Sequence, residues 1–249
     1  MGISRRGFLG AAAGGVTSCL PRFVGRAPWG SAELGGARWP PRPAEHSSRY
    51  VLLDLKTPLT ESIAGYQRAL AQFGDDFVTL PPQPLAQQSA CPVAIVPGCV
   101  MMDLGAASWL TALLDKGGLV VIESGAAFAE AAEFLAHQQL LVSRFGLRVG
   151  PPVNLWPEAD PERNAARCGR VPYVDYIWPA PTKLRDYSRV VPLAEKSTGT
   201  IGWAGRLPIA VRRNVRQGTL MFLGSPLGPA LLSGDREAHT WLREALLAG

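Results

Sequence analysis

Residues 116–128 have the sequence KGGLVVIESGAAF, which constrains the fold more than any other part of the chain. A Gly-Gly break leads into four apolar residues, three of them β-branched. This pattern is typical of a strand that is covered on both faces in a parallel sheet. The small residues that follow allow a tight turn into a helix, and in open α/β sheets ligands bind beyond the carboxyl ends of such strands. The stretch therefore predicts a parallel sheet and the position of a binding crevice.

Similar patterns recur on either side of this stretch. Strand patterns alternate with helix patterns, which predicts an α/β fold with a doubly wound, mainly parallel sheet of flavodoxin-like type. The strands are predicted at 50–55, 77–80, 93–96 and 119–122, and the helices at 60–73, 101–114 and about 126–145.

The alternation stops at residue 150, and residues 150–215 are predicted to form an antiparallel, β-rich insertion. Strand patterns at 189–193, 199–203 and 207–211 are joined by glycine-bearing turns. The strand at 218–223 is expected to return to the main sheet, and a helix at 234–247 closes the domain. The predicted α/β domain therefore spans 50–249.

The charge is unevenly distributed along the chain. The net charge is +5, and residues 1–49 hold seven Arg and two acidic residues, so this segment supplies the whole excess. The remaining chain is close to neutral, which argues against a nucleic-acid partner. The basic run at 206–216 is interpreted as a hairpin edge carrying protective charge.

The N-terminus has the features of an export leader. Arg5 and Arg6 precede a weakly apolar, Gly/Ala-rich run, and this pattern resembles a twin-arginine export signal. Residues 16–19, VTSC, resemble a bacterial lipobox that ends at Cys19, which implies lipidation; simple signal cleavage remains the alternative. Residues 1–19 are thus predicted to be the leader and 20–49 a Pro/Gly/Arg-rich tether. The predicted location is periplasmic, with a membrane anchor through the lipid.

The order of the elements and the loops between them resemble the class I glutamine amidotransferase-like superfamily. The resemblance rests on VPG at 96–98, on GG and ESG around the strand at 119–122, and on the final strand that leads into GSP at 224–226. The family places a nucleophilic cysteine after the strand at 119–122, and a His and a Glu after the last strand. In this chain the turn after the strand at 119–122 has no cysteine, and the residues directly after the last strand, GSP, include neither His nor Glu. The resemblance therefore implies a non-catalytic branch, such as the trehalose-utilisation-like proteins or the β-galactosidase trimerisation domain.

Ser124 is the first of four catalytic candidates, because a serine on a strand-to-helix turn is exposed and has backbone amides beside it that can donate to an oxyanion. The glycines of a nucleophile elbow are absent, and the three histidines are judged to be poorly placed as a general base. Capping of the next helix is the favoured role for Ser124. Glu123 and Asp54 are the candidate acidic residues, either as a carboxylate pair over the crevice or as caps or salt-bridge partners. Expected ligand-binding residues are Gly98, Ser124, Gly125 and Ser225.

Cys99 is the fourth catalytic candidate, because it follows a strand and faces the predicted crevice, although a buried structural cysteine is the favoured interpretation. Cys91 and Cys99 flank one strand, and at about 3.3 Å per residue they are too far apart to form a disulfide. Either of them remains open to pairing with Cys168. No spacing typical of metal ligands is present, and neither a metal nor a cofactor is expected.

The insertion contains residue types that are enriched at protein interfaces. A protein partner is therefore expected, and a flap packed on its own sheet is the equal alternative. The predicted contact residues are Trp156, Tyr173, Tyr176, Trp178 and Arg185. Two functions follow as hypotheses: a non-enzymatic, membrane-tethered binding or accessory protein, or a periplasmic hydrolase of a small carbonyl or sugar-like substrate that uses Ser124 or Cys99.

Overall fold

A computed structural model describes residues 48–55, 59–81, 92–124, 127–155, 173–185, 189–194 and 197–249. In this part of the chain there are eleven strands and five helices. The strands are β1 Tyr50–Leu53, β2 Phe77–Leu80, β3 Val93–Cys99, β4 Leu119–Ser124, β5 Val153–Asn154, β6 Tyr173–Tyr176, β7 Thr182–Arg185, β8 Arg189–Val190, β9 Thr200–Ala204, β10 Leu207–Val215 and β11 Gly218–Leu223. The helices are α1 Thr60–Phe73, α2 Leu104–Asp115, α3 Ala131–Phe145, α4 Gly228–Ser233 and α5 Arg236–Leu247.

Half of the main sheet is parallel. Its strands follow the order β2-β1-β3-β4-β11, and each pairs with its neighbour in the parallel direction. Strand β4 is buried along its whole length, as its continuous apolar run predicts. The order of these five strands is that of flavodoxin-like sheets. The α/β class and the wound parallel sheet are confirmed.

Helices cover both faces of the parallel half. Helices α1, α4 and α5 pack with one cluster of buried side chains, and α2 and α3 pack with the other. Because successive strand residues point to opposite faces, Val121 of β4 belongs to the first cluster and Ile122 to the second. This alternation decides which helices each residue at the end of β4 meets.

The other half of the sheet is antiparallel and continues from β11 in the order β10-β9-β6-β7. Turns with a left-handed residue join these strands: Gly205 has φ +62° between β9 and β10, and Arg216 has φ +59° between β10 and β11. The predicted insertion therefore extends the main sheet, and the strand at 218–223 returns to it as predicted. The basic run at 206–216 lies on β10 between two strands, which corrects its interpretation as an edge. A separate pair, β5 with β8, lies outside this sheet.

Several boundaries differ from prediction. Helix α3 begins at Ala131 rather than near residue 126, because Glu130 is extended and occupies the N-cap position. The Glu133 side chain accepts a hydrogen bond from the Ala129 amide and so fixes this start. The favoured role of Ser124 as the cap of this helix is therefore wrong. Helix α4 lies between the last strand and the predicted closing helix and was not predicted, and β3 continues through Pro97 to Cys99.

The predicted leader at 1–19 and almost all of the predicted tether at 20–49 lie outside the described residues, so Cys19 has no structural account. Cys91 and Cys168 also lie outside them, and Cys99 is a free, buried thiol. No helix in the described ranges combines the length and the apolar character needed to cross a membrane.

Candidate functional site

The candidate site lies where β3, β4 and β11 end. The last two residues of β4, Glu123 and Ser124, are both fully buried. They point to opposite faces of the sheet, so Glu123 meets the side of α1 and α4 while Ser124 meets the side of α3. The predicted crevice therefore consists of two separate polar clusters.

Glu123 is held by four hydrogen-bond donors from three different parts of the chain. Its Oε1 accepts from Ser62 Oγ at 2.5 Å and from the Gly98 amide at 3.2 Å. Its Oε2 accepts from the Leu227 amide at 3.0 Å and the Gly228 amide at 3.1 Å. Each carboxylate oxygen therefore has two donors, which satisfies the group without a cation.

Close packing of α1 against α4 brings these donors together. A Cβ atom on Gly65 would lie 2.0 Å from the Gly228 carbonyl oxygen, and one on Gly228 would lie 2.2 Å from Ser62 Cα. Only residues without a side chain permit this approach of two backbones. The two glycines thus place Ser62 and the Gly228 amide on the same carboxylate.

Burial is the dominant influence on the ionisation of this cluster. It raises the pKa of Glu123, and the interactions with Ser62, Tyr66, Gly228 and Leu227 act in the opposite direction. Burial and the nearby Glu123 carboxylate raise the pKa of Tyr66 well above its usual value. The Tyr66 hydroxyl is buried and has no hydrogen-bond partner of normal geometry.

On the other face, Ser124 lies against a histidine. Ser124 Oγ is 3.2 Å from Nε2 of His137, which projects from α3. The sequence argument that no histidine is placed as a general base is therefore wrong for His137. His137 occupies the buried face of α3 together with Phe134, Leu141 and Phe145, and this 3-4-4 spacing was the signal that could have located it.

The Ser124–His137 pair is incomplete as a catalytic device. Both side chains are buried, with exposures of 0% and 3%, and His137 Nδ1 has no hydrogen-bond partner in the part of the chain that the structure describes. Among the described residues, no acidic group orients the imidazole in the way a triad requires. Burial lowers the pKa of His137 to about 4, so the ring is neutral at pH 7. Glu123 cannot supply the acid because it points to the opposite face.

Cys99 pairs with Ser124 in the register of β3 and β4, so two of the predicted candidates are adjacent. Cys99 is fully buried, and burial raises the pKa of its thiol to about 12. The thiolate, which is the reactive form, is therefore scarce at neutral pH. This matches the favoured interpretation of a structural cysteine.

The remaining predicted site residues are spread around the same edge. Gly98 has φ +55° and turns its amide toward Glu123, where it binds this chain's own carboxylate. Asp54 is half-buried after β1, and the hydrogen bonds of Glu123 go to other groups. Ser225 is buried, and Gly125 lies outside the described residues.

The predicted partner-binding residues divide into core and surface. Tyr176 is only 3% exposed and packs against Trp241 with 4.3 Å between ring centroids, so its predicted role as a partner contact is corrected to a core role. Trp178 is half-buried beneath the Arg212 guanidinium, and its carbonyl accepts from Trp241 Nε1. Tyr173 and Arg185 are exposed, and Trp156 lies outside the described residues.

The exposed residues form one surface, which we call the β6–β7 face: Tyr173, Asp175, Ile177, Lys183 and Arg185. Ile177 is 59% exposed and Tyr173 40%. Lys183 pairs with Asp175 at 3.0 Å. A shallow cleft of about 370 Å³ lies between this face and residues 235–237 at the start of α5. In the described part of the chain, no cluster of three or more His, Cys, Asp or Glu side chains is arranged to hold a metal ion.

No protein-family model matches this chain, and no curated protein matches its sequence. Solved structures do match it. One is the exo-β-1,4-mannosidase Op5Man5 from Opitutaceae bacterium strain TAV5, with a TM-score of 0.54, 13% identity, and coverage of 82% of this chain and 36% of that chain. A second is a β-galactosidase from Rahnella sp. R3, with a TM-score of 0.57, 13% identity, and coverage of 81% and 31%.

The third is the cytoplasmic protein STM1381 from Salmonella typhimurium LT2, with a TM-score of 0.57, 11% identity, and coverage of 80% of this chain and 98% of that chain. The chain therefore spans about a third of the length of the matched glycosidases and nearly the whole of the Salmonella protein. At these identities the likeness concerns the fold alone. It agrees, at that level, with the resemblance to the β-galactosidase trimerisation-domain branch.

Proposed function

We propose that this chain is an exported, membrane-tethered, non-catalytic domain of amidotransferase-like fold that acts as a binding or accessory protein. The observation that carries the proposal is the carboxylate of Glu123, which fills the crevice with four internal hydrogen bonds. The other reactive candidates, Ser124 and Cys99, are fully buried. A fold that makes up about a third of larger glycosidase chains is also consistent with an accessory role.

The β6–β7 face is the proposed partner surface, since Tyr173, Ile177 and Arg185 combine aromatic, apolar and cationic character on exposed positions. A photo-crosslinking amino acid at position 173 of the full chain, expressed in a bacterium, tests this. We expect a discrete adduct with one protein, and its loss on Arg185→Glu. The control places the same amino acid at the exposed position 139 on α3. Identical adducts from both positions, or none from 173, would contradict the proposed surface.

Export and tethering are tested separately by fractionation. Replacing Arg5 and Arg6 together by Lys should retain the precursor in the cytoplasm, while the same replacement of Arg22 and Arg26 should leave export unchanged. Cys19→Ala should then move the exported protein from the membrane fraction to the soluble periplasm. Normal export of the first variant would contradict the twin-arginine route, and membrane retention of the Cys19 variant would contradict lipid anchoring.

A second candidate function is a periplasmic hydrolase, and the 3.2 Å contact between Ser124 Oγ and His137 Nε2 favours it. In that reaction Ser124 Oγ would attack the carbonyl carbon of an ester while His137 Nε2 takes its proton and passes it to the departing alcohol as the ester C–O bond breaks. Water, deprotonated by His137, would then attack the acyl-serine and release the carboxylic acid, and the proton would return to Ser124 Oγ. Turnover of small activated esters by the purified domain tests it. Turnover that Ser124→Ala and His137→Gln both abolish, with the fold intact, would establish the hydrolase and remove the first proposal.

A further inference from the structure

We propose that the space around the Glu123 carboxylate is a preformed receptor for one small carboxylate, and that the chain occupies this receptor with its own side chain. The inference goes beyond the proposed accessory role and does not depend on it. The receptor is defined by Ser62 Oγ and the amides of Gly98, Leu227 and Gly228.

The donor set is complete for a carboxylate. Two donors converge on each oxygen at 2.5 to 3.2 Å, and they come from α1, from the end of β3 and from the N-terminus of α4. A carboxylate accepts hydrogen bonds and donates none, so four converging donors match its ionised form. No ion pair joins Glu123 to a Lys or Arg in the described ranges. The selectivity therefore rests on directed hydrogen bonds.

Three of the receptor's four donors are backbone amides. The close approach of Gly65 to Gly228 holds α1 against α4 without any contact from Glu123, so we expect the receptor to keep its shape when the Glu123 side chain is removed. The Tyr66 hydroxyl is buried beside the same carboxylate, which helps to raise the pKa of Tyr66, and it adds a further donor at this point. Truncation at position 123 therefore leaves unpaired buried donors that gain from binding a free anion.

The direct test is the unfolding temperature of Glu123→Ala in increasing sodium formate and sodium acetate, with sodium chloride at equal ionic strength. We expect a saturable rise of a few degrees with formate and a smaller rise with acetate, beyond any change in chloride. Wild type and Glu61→Ala, an exposed neighbour on α1, should respond equally to all three salts. Ser62→Ala combined with Glu123→Ala should weaken the formate effect, because one donor is gone.

Two results would overturn the proposal: a folded Glu123→Ala whose response to formate equals its response to chloride, or a variant that stays unfolded at every formate concentration. If the variant folds only with formate, the proposal is supported. These outcomes can be distinguished from a failure of the accessory role. That role is tested by crosslinked adducts at position 173 and by ester turnover, and neither experiment involves formate. Glu123→Gln, which keeps the space filled, should show no specific formate effect.

Discussion

The two faces of the sheet at the end of β4 differ although adjacent residues form them. Glu123 is held by four donors, three of them backbone amides, from three parts of the chain. Ser124 Oγ lies 3.2 Å from Nε2 of His137, whose second ring nitrogen has no hydrogen-bond partner among the described residues. The Glu123 carboxylate on the first face has two hydrogen-bond donors for each oxygen, whereas the imidazole on the second face is buried and neutral with one ring nitrogen unpaired among the described residues. The comparison teaches that a crevice whose sequence resembles that of an active site can be occupied on one face by the chain's own carboxylate and buried from solvent on the other.

Removal of Glu123 should have the largest effect, because its carboxylate is the common acceptor of four buried donors. Glu123→Leu leaves four buried donors unpaired, and at about 1 kcal/mol for each we expect a loss of about 4 kcal/mol in the free energy of unfolding. Urea denaturation measures it. A loss no larger than that of Ser124→Ala would show that the two faces do not differ as described.

Gly65→Ala tests the packing that assembles the first face. Its Cβ would lie 2.0 Å from the Gly228 carbonyl oxygen, so α1 and α4 must separate, and we expect a loss of about 3 kcal/mol despite the gain in helix propensity. Gly105→Ala on α2 is the matched control, because its Cβ would approach only the end of the Asp103 side chain. Equal stability of the two variants would contradict the close helix approach.

The second face should be sensitive to acid through His137. Its pKa is lowered to about 4 in the folded state, while the unfolded chain titrates near 6.5. The unfolded state therefore binds the extra proton first, and stability is lost as the pH falls from about 6.5 to 4, by about 3 kcal/mol. His137→Gln should remove this loss. If the free energy of unfolding of His137→Gln fell with pH as that of wild type does, His137 would not be the buried, neutral histidine described here.

Glu123 should act in the opposite direction, which sharpens the contrast between the faces. The pKa of Glu123 is raised in the folded state, so the folded protein binds a proton at this carboxyl more readily than the unfolded chain does. The contribution of Glu123 to the free energy of unfolding therefore falls as the pH rises through and above the pKa that Glu123 has in the unfolded chain. Glu123→Gln should therefore show a steeper acid loss than wild type between pH 6.5 and 4, and both slopes come from urea titrations at each pH.

Ser124→Ala should have the smallest effect. It removes the hydrogen bond to His137, and we expect a loss of about 1 kcal/mol with no change in the fold, read from the same urea titrations. A loss of several kcal/mol would mean that the second face is as tightly integrated as the first.

The sequence was sufficient for the α/β class and for the parallel half of the sheet. Continuous apolar strands and glycine punctuation predicted the parallel half, and α1 was predicted with its observed ends because Gly74 stops it. Strand alternation alone separates Glu123 from Ser124, and helical spacing places His137 on the buried face of α3. Both patterns can be read from the sequence, and together they predict that Glu123 and His137 lie on opposite sides of the sheet.

The rest of the site was beyond sequence reasoning because it depends on distant parts of the chain. Ser62 and Gly228 are 61 and 105 residues away from Glu123. Their convergence depends on the packing of α1 against α4, and α4 itself was not predicted from the sequence. The burial of Tyr176 likewise follows from its contact with Trp241, which lies on the closing helix.

Site-resolved labelling of the native domain tests the central claim most directly. A fluorophosphonate and iodoacetamide are added at pH 7.5, and mass spectrometry measures modification of Ser124 and Cys99 before and after unfolding in urea. We predict no modification of Ser124, and modification of Cys99 only on unfolding, because both groups are buried and the thiol is protonated. Rapid modification of Ser124 in the folded protein, abolished by His137→Gln, would contradict the account.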